Sequence, residues 1–444
     1  MTGYSLSPLS GGLQRLGLGR PELRAWVLYD WANSVFVTTI IAAVFPIYFS
    51  AVAAANLPPA VATARFALAT TVACAIMAVL APVLGSLADA KPIKKKMLGA
   101  FLGLGVLMTS LMVFIQQGDW LLACLLFVLA DVGAAGSFVF YDSLLPHLAS
   151  DEEMDRVSTA GYAFGYLGGG LLLALNLLWL QQPGVFGLAD ATAAARLSFL
   201  SVAVWWLVFA LPLFWYVPEP PRRTTAEEQY PDNPFRTAVH RFNELRGFQP
   251  AFRLLIAFLL YNDGIATIIR MAAIYGTEIG IAQGSLVSAI LLVQFIGLPC
   301  TLLFGQIAGW ISAKRAVVLA LVVYTIASII GYFMHTAWHF YVLALLIGLV
   351  QGGSQALSRS LFASMIPRYR SAAFFALFAI CEKFAGIFGP AIFSVAALVG
   401  TSSRNAVLAI IGFFLAGGAL LAGVDVAEGQ RLARLAEENA SIST

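Results

Sequence analysis

The stretch Gly85-Ser86-Leu87-Ala88-Asp89-Ala90-Lys91-Pro92-Ile93-Lys94-Lys95-Lys96 closes a long apolar run and opens a short basic loop. Its first five residues have a counterpart in Gly305-Gln306-Ile307-Ala308-Gly309, 220 positions further on. Ser143-Leu144-Leu145-Pro146 is matched by Ser364-Met365-Ile366-Pro367 at an offset of 221, and Gly165 and Gly168 by Gly386 and Gly389 at the same offset. Tyr29-Asp30 in the first apolar run is echoed by Tyr261-Asn262-Asp263 in the seventh. A shared offset over three helix ends predicts two halves that copy one another, which is a transporter architecture.

Composition agrees. Of 444 residues, 60% are apolar and 11% charged, against about 25% charged in soluble domains; mean hydropathy is +0.84. A soluble enzyme is excluded, and the net charge of +3 is too small and too dispersed for a nucleic-acid partner. A membrane helix takes roughly 20 apolar residues. The runs predict twelve spans, at about 25–53, 65–88, 97–116, 120–145, 157–181, 196–217, 252–280, 285–309, 316–334, 339–362, 372–397 and 404–424. The runs are continuous rather than alternating, which disfavours a transmembrane β-barrel. The expected fold is an all-α membrane protein, with six-helix bundles at 25–217 and 252–424, a linker at 218–251 and tails at 1–24 and 425–444.

Twenty-one Lys and Arg fall on one set of loops and tails, and only Arg65, Arg196 and Arg404 on the other. The positive-inside rule then places both termini in the cytoplasm. Within the linker, Phe235, Val239, Phe242 and Leu245 follow helical spacing beside Arg236, Arg241 and Arg246. That pattern fits either a short amphipathic helix on the cytoplasmic surface or a solvated connector.

The segment GSLADAKPIKKK resembles the loop signature of the major facilitator superfamily, Gly-x-x-x-Asp followed by basic residues, although Ala90 and Pro92 depart from it. Tyr29-Asp30-Trp31-Ala32-Asn33-Ser34 and Tyr261-Asn262-Asp263-Gly264 resemble the vacuolar amino-acid effluxer-like, or autophagy-related permease, branch of that superfamily. The resemblance covers about residues 22–424. It implies a rocker-switch transporter with a central cavity, and amino acids or related small metabolites as exported cargo. It also implies a cytoplasmic gate at Gly85 and Asp89. Lys94–Lys96 read as ordinary positive-inside decoration.

Ionisable groups inside spans are expensive and mark cavities or partner helices. Asp30, Asn33, Ser34 and Thr38 stand at i, i+3, i+4 and i+8, one polar stripe, with Asp30 shallow enough to serve a gate. Asp263 lies about 18 Å into the seventh span, with Asn262 adjacent and Thr267 and Arg270 on its face. Glu382 and Lys383 sit near the middle of the eleventh span, and Asp131 in the fourth has no cation in its own helix. An unpaired carboxylate at that depth is a candidate for proton coupling. Gln351, Gln355 and Arg359 form a stripe in the tenth span, with Arg359 near the cytoplasmic end as a gate or anchor. Residues of both signs suit a zwitterion or an anion.

Cys74, Cys124, Cys300 and Cys381 read as buried hydrophobes, and His335 and His339 beside Trp338 as an interfacial belt. No metal site or cofactor is expected. The chain has no Gly-Lys-Ser/Thr phosphate loop, so ATP hydrolysis is not expected, nor any other enzyme constellation. The sequence thus predicts a monomeric secondary transporter in a lipid bilayer, moving a small-molecule substrate with protons as the coupling ion. The alternative on the same fold is a lipid or lysolipid flippase or scramblase.

Overall fold

The structure is a computed structural model in which residues 16–221, 234–278, 283–385 and 403–442 are described. Among them there is no strand. The helices are α1 (Pro21–Ala53), α2 (Pro59–Ala90), α3 (Lys94–Leu111), α4 (Trp120–Leu148), α5 (Met154–Gln181) and α6 (Ala191–Tyr216). After the linker helix α7 (Pro234–Gly247) come α8 (Gln249–Glu278), α9 (Gln283–Ile311), α10 (Ala313–Tyr332), α11 (Ala337–Ser364), α12 (Ser371–Phe384), α13 (Ser403–Ala422) and α14 (Val426–Ile442). Ten described helices are long and apolar enough to cross a membrane, or eleven if the pair α13 and α14, bent by 60°, counts as one span. The expected eleventh span is described only as far as 385. Its glycines, Gly386 and Gly389, lie outside the described residues.

Local chemistry explains the irregular turns. Pro46 cannot donate the backbone bond that a helix asks of it, and α1 widens into π-helical turns at Phe36–Ala43 and Phe49–Ala53 on either side. Asp190 and Thr336 cap α6 and α11 by accepting from the backbone N–H of Ala193 and His339.

The two halves meet through matching elements. Helix α2 packs against α12, and α5 packs against α9 and α11. The repeat seen in the sequence reappears as close packing. A side chain at Gly85 would meet the carbonyl oxygen of Ala372 at 2.6 Å, and one at Gly305 would run into Thr159 of α5. Both glycines let a helix of the other half come close. Large apolar side chains cover the outside, including Trp215 and Trp310 toward the basic end and Phe114 and Trp338 toward the opposite end. Aromatic residues at both ends of an apolar belt fit a bilayer.

The linker helix is more embedded than an amphipathic surface helix. Leu245 is fully buried, and Val239 and Phe242 remain exposed. Arg241, expected on the polar side, is buried and donates to Ser86 Oγ at 3.0 Å. Glu244 holds Arg241 at 2.7 Å and Arg370 at 2.8 Å, so this helix ties α2 to the start of α12.

Candidate functional site: a cavity sealed at the basic end

A cavity of about 400 Å³ lies between the halves. Its walls are mostly apolar, with Val37, Ile268, Ile290, Val293, Leu343 and Ile347 among them, and it reaches Met334 and Phe340 near the end opposite the basic loops. Its floor carries Asp30, Asp142, Arg359 and Glu382.

Arg359 organises that floor. From α11 it crosses to the other half, where Nη1 donates to Asp142 Oδ1 at 3.0 Å and Nη2 to Asp30 Oδ2 at 3.1 Å. Nη2 also reaches the carbonyl of Ser158 at 3.0 Å, and Nε reaches Ser158 Oγ at 3.0 Å. Its guanidinium stacks over the rings of Trp26 and Tyr162, at 4.8 and 4.4 Å to the ring centres. Trp26 is fixed in turn by stacking on Tyr141 and by donating to the Tyr141 carbonyl at 3.1 Å. Gly161 makes room for the cluster, since a side chain there would collide with Asp30 Oδ2. A planar, fork-shaped cation between two aromatic faces and two carboxylates is an arrangement for which Lys is no substitute.

A second cluster closes the basic end. Asp89, at the last turn of α2, accepts from the backbone N–H groups of Ala372 and Ala373 at 3.0 and 2.8 Å. Those are free amides in the first turn of α12, where the helix dipole favours an anion. Lys94 Nζ lies 2.9 Å from Asp89 Oδ1 and donates to Ser371 Oγ at 2.6 Å. Ser371 Oγ donates to the carbonyl of Ser143 at 2.9 Å. The four-residue spacing of Gly85 and Asp89 now has a cause: the glycine admits the backbone of α12, and the aspartate one turn later caps it. Lys94, read from sequence as surface decoration, is buried at 4% exposure as the counter-ion of this contact.

The other sequence-nominated residues separate. Asn33, Ser34 and Gln355 line the cavity beside Asp30 and Glu382. Asp131 and Lys383 do not; they pair with each other at 2.7 Å between α4 and α12. Asp131 is therefore not an unpaired carboxylate, because its cation comes from the other half. Asn262, Asp263 and Thr267 are buried in α8 but are absent from the cavity wall, where that helix presents Ile268 and Ile269 instead. Thr267 Oγ1 bonds the carbonyl of Asp263 at 2.6 Å, and Gly264 faces Phe414 of α13. Of the two cations expected in the cavity, Lys383 is engaged by Asp131 and Arg270 lies outside the described side chains; Arg359, expected as a gate or anchor, is engaged by Asp30 and Asp142.

Sequence reasoning missed Asp142, Ser158 and the rings around Arg359. One signal for Asp142 was present: Tyr141-Asp142 repeats the Tyr29-Asp30 pair, and Asp142 stands eleven residues after Asp131, three helical turns. Among the described residues no group of three or more His, Cys, Asp or Glu is placed to hold a metal.

Comparison with known proteins gives the lineage. Residues 57–434 match the family model described as "Vacuole effluxer Atg22 like". An uncharacterized MFS-type transporter, YxiO, of Bacillus subtilis is 34% identical over 404 residues, covering 90% of this chain and 94% of that one. Autophagy-related protein 22-1 of Phaeosphaeria nodorum is 25% identical, covering 87% of each chain. Among solved structures, the proton:xylose symporter XylE of the major facilitator superfamily aligns with a TM-score of 0.68 at 15% identity, over 95% of this chain and 99% of that one. The chain belongs to the Atg22-like vacuole effluxer family and has the major facilitator fold.

Proposed function

We propose that this membrane transporter works by alternating access, driven by protons, and exports small polar metabolites such as amino acids and their relatives. The basic end, with both termini, faces the cytoplasm of a bacterial cell. The observation that carries the reading is the cavity of about 400 Å³ between the halves, floored by Asp30, Asp142, Arg359 and Glu382, together with the Asp89 contact that seals the floor from the basic end. A cavity reached from one end and bounded at the other by bonds between two repeats is one of the two states that rocking requires. Carboxylates at its floor supply titratable groups between the halves, so release of a proton can change how tightly Arg359 holds them together. The described residues offer no feature that favours the lipid-moving alternative.

The test is transport by purified protein in liposomes across an imposed pH gradient. The gradient should drive cargo accumulation in the wild type. Asp142→Asn should lose the gradient-driven accumulation and keep exchange of labelled for unlabelled cargo. Accumulation indifferent to the gradient in the wild type refutes proton coupling.

A further inference from the structure

We infer that the cavity is a receptor for an organic cation, a small amine whose ammonium pairs with Glu382 and which carries no free carboxylate. The inference rests on the transporter reading and narrows its cargo to the amine-bearing relatives of amino acids.

Charge at the described surface of the cavity carries the argument. Three carboxylates, Asp30, Asp142 and Glu382, face it against a single guanidinium. Arg359 is only 3% exposed. Four of its N–H donors are spent on Asp30, Asp142 and Ser158, and ring faces cover its plane. An incoming carboxylate would have to displace Asp30 or Asp142 from a buried pair and leave that group without its cation, a strongly unfavourable exchange. Lys383 is held by Asp131 away from the cavity. Glu382 differs from both aspartates. Its side chain is exposed to the cavity, and no described cation stands within ion-pair distance of it. The floor therefore holds two carboxylates satisfied by protein and a third open to a ligand cation.

A second, independent feature points to a ligand at the same floor. Asn33 lines the cavity at 2% exposure, and its amide Nδ2 has no acceptor among the described residues. A buried donor left without an acceptor costs free energy until something fills it, and a neutral hydroxyl or carbonyl oxygen on the cargo would do so without a negative charge. Tyr162 and Tyr166 line the same cavity, and aromatic rings near an ammonium add to its binding.

Three probes that share one phenyl ring and chain length test the assignment in detergent-purified protein by calorimetric titration. They are phenethylamine, phenylalanine and 3-phenylpropionate. Phenethylamine should bind tightest and 3-phenylpropionate weakest. Glu382→Gln should weaken phenethylamine by about tenfold or more, the size of one charge-assisted contact, and leave 3-phenylpropionate no weaker. Glu382→Asp, which keeps the charge, should recover part of the loss and shows that the site tolerates substitution. Tighter binding of 3-phenylpropionate, absence of phenethylamine binding, or a Glu382→Gln protein that binds phenethylamine as well as the wild type overturns the inference. Liposome flux separates this from the broader reading: phenethylamine binding with no flux of phenethylamine or of any amino acid upholds the cation site and refutes the transport reading, whereas a transported anion refutes the cation site alone.

Discussion

A guanidinium moved out of water needs replacement partners for its donors and its charge, and Arg359 finds them on the opposite half of the protein: Asp30, Asp142 and the hydroxyl and carbonyl oxygens of Ser158. Removing one member of such a buried set leaves the rest uncompensated, at a cost of about 3–5 kcal/mol. Arg359→Gln leaves two carboxylates facing each other without a cation, so its melting temperature in detergent should fall clearly below that of the wild type. Adding Asp142→Asn should recover part of the loss, because one surplus negative charge is gone. If Arg359→Gln melts with the wild type, the two aspartates are neutral in the native state and the cation is not what holds them. The same cluster explains why Asp30 sits shallow in α1. It meets an arginine that also lies near the basic end, and together they form the floor of the cavity.

Between elements, small residues set how near the helices come. Gly161, Gly165, Gly168 and Gly169 lie along the face of α5 that meets α1. A side chain at Gly168 would stand 2.6 Å from the carbonyl oxygen of Trp31, a backbone atom that cannot swing aside. Gly168→Ala should therefore destabilise the protein by about 1–3 kcal/mol. Gly103, on α3, has no atom within 4 Å of the same position, and Gly103→Ala should be neutral or gain about 0.5–1 kcal/mol from helix propensity. Melting temperatures of the two variants measured side by side decide the matter, and equal shifts would refute the packing argument. These elements also mark what could be read from the chain alone. Apolar run length gives the spans, and the polar stripe through Asp30, Asn33 and Ser34 shows itself because it recurs at helical spacing within one segment. The pairing of Arg359 with Asp142 and Asp30, across 217 and 329 positions, leaves no local trace, and neither does that of Lys383 with Asp131 across 252. Periodicity says which face of a helix is polar, and it says nothing of which helix that face meets. That is why Asp131 looked unpaired and Asp263 looked like cavity wall.

Across the whole molecule the two halves share a plan and differ in how they are fastened. Gly85 and Gly305 occupy matching places, each against a helix of the opposite half. One turn beyond Gly85, Asp89 caps α12; one turn beyond Gly305 stands Gly309, with open space around it. The charged fastening at the basic end is therefore one-sided: Asp89 and Lys94 on one half grip the first turn of α12 on the other. Linker helix α7 adds a tie through Glu244 to Arg370, and α14 adds one through Arg434 to Asp151 at 2.6 Å. The last pair is solvent-exposed and contributes little. If Asp89 is the main bond holding this end shut, Asp89→Asn should release it, since the amide loses both the charge that meets Lys94 and half of its acceptor capacity. Spin labels on exposed Lys91, in the first half, and exposed Arg253, in the second, report the gap between the halves at this end. The wild type should give a single short distance. Asp89→Asn should add a longer population, and Arg434→Gln should leave the distribution as it was. An unchanged distribution in Asp89→Asn would show that α7 and the apolar contact of α2 with α12 keep the end closed without the carboxylate.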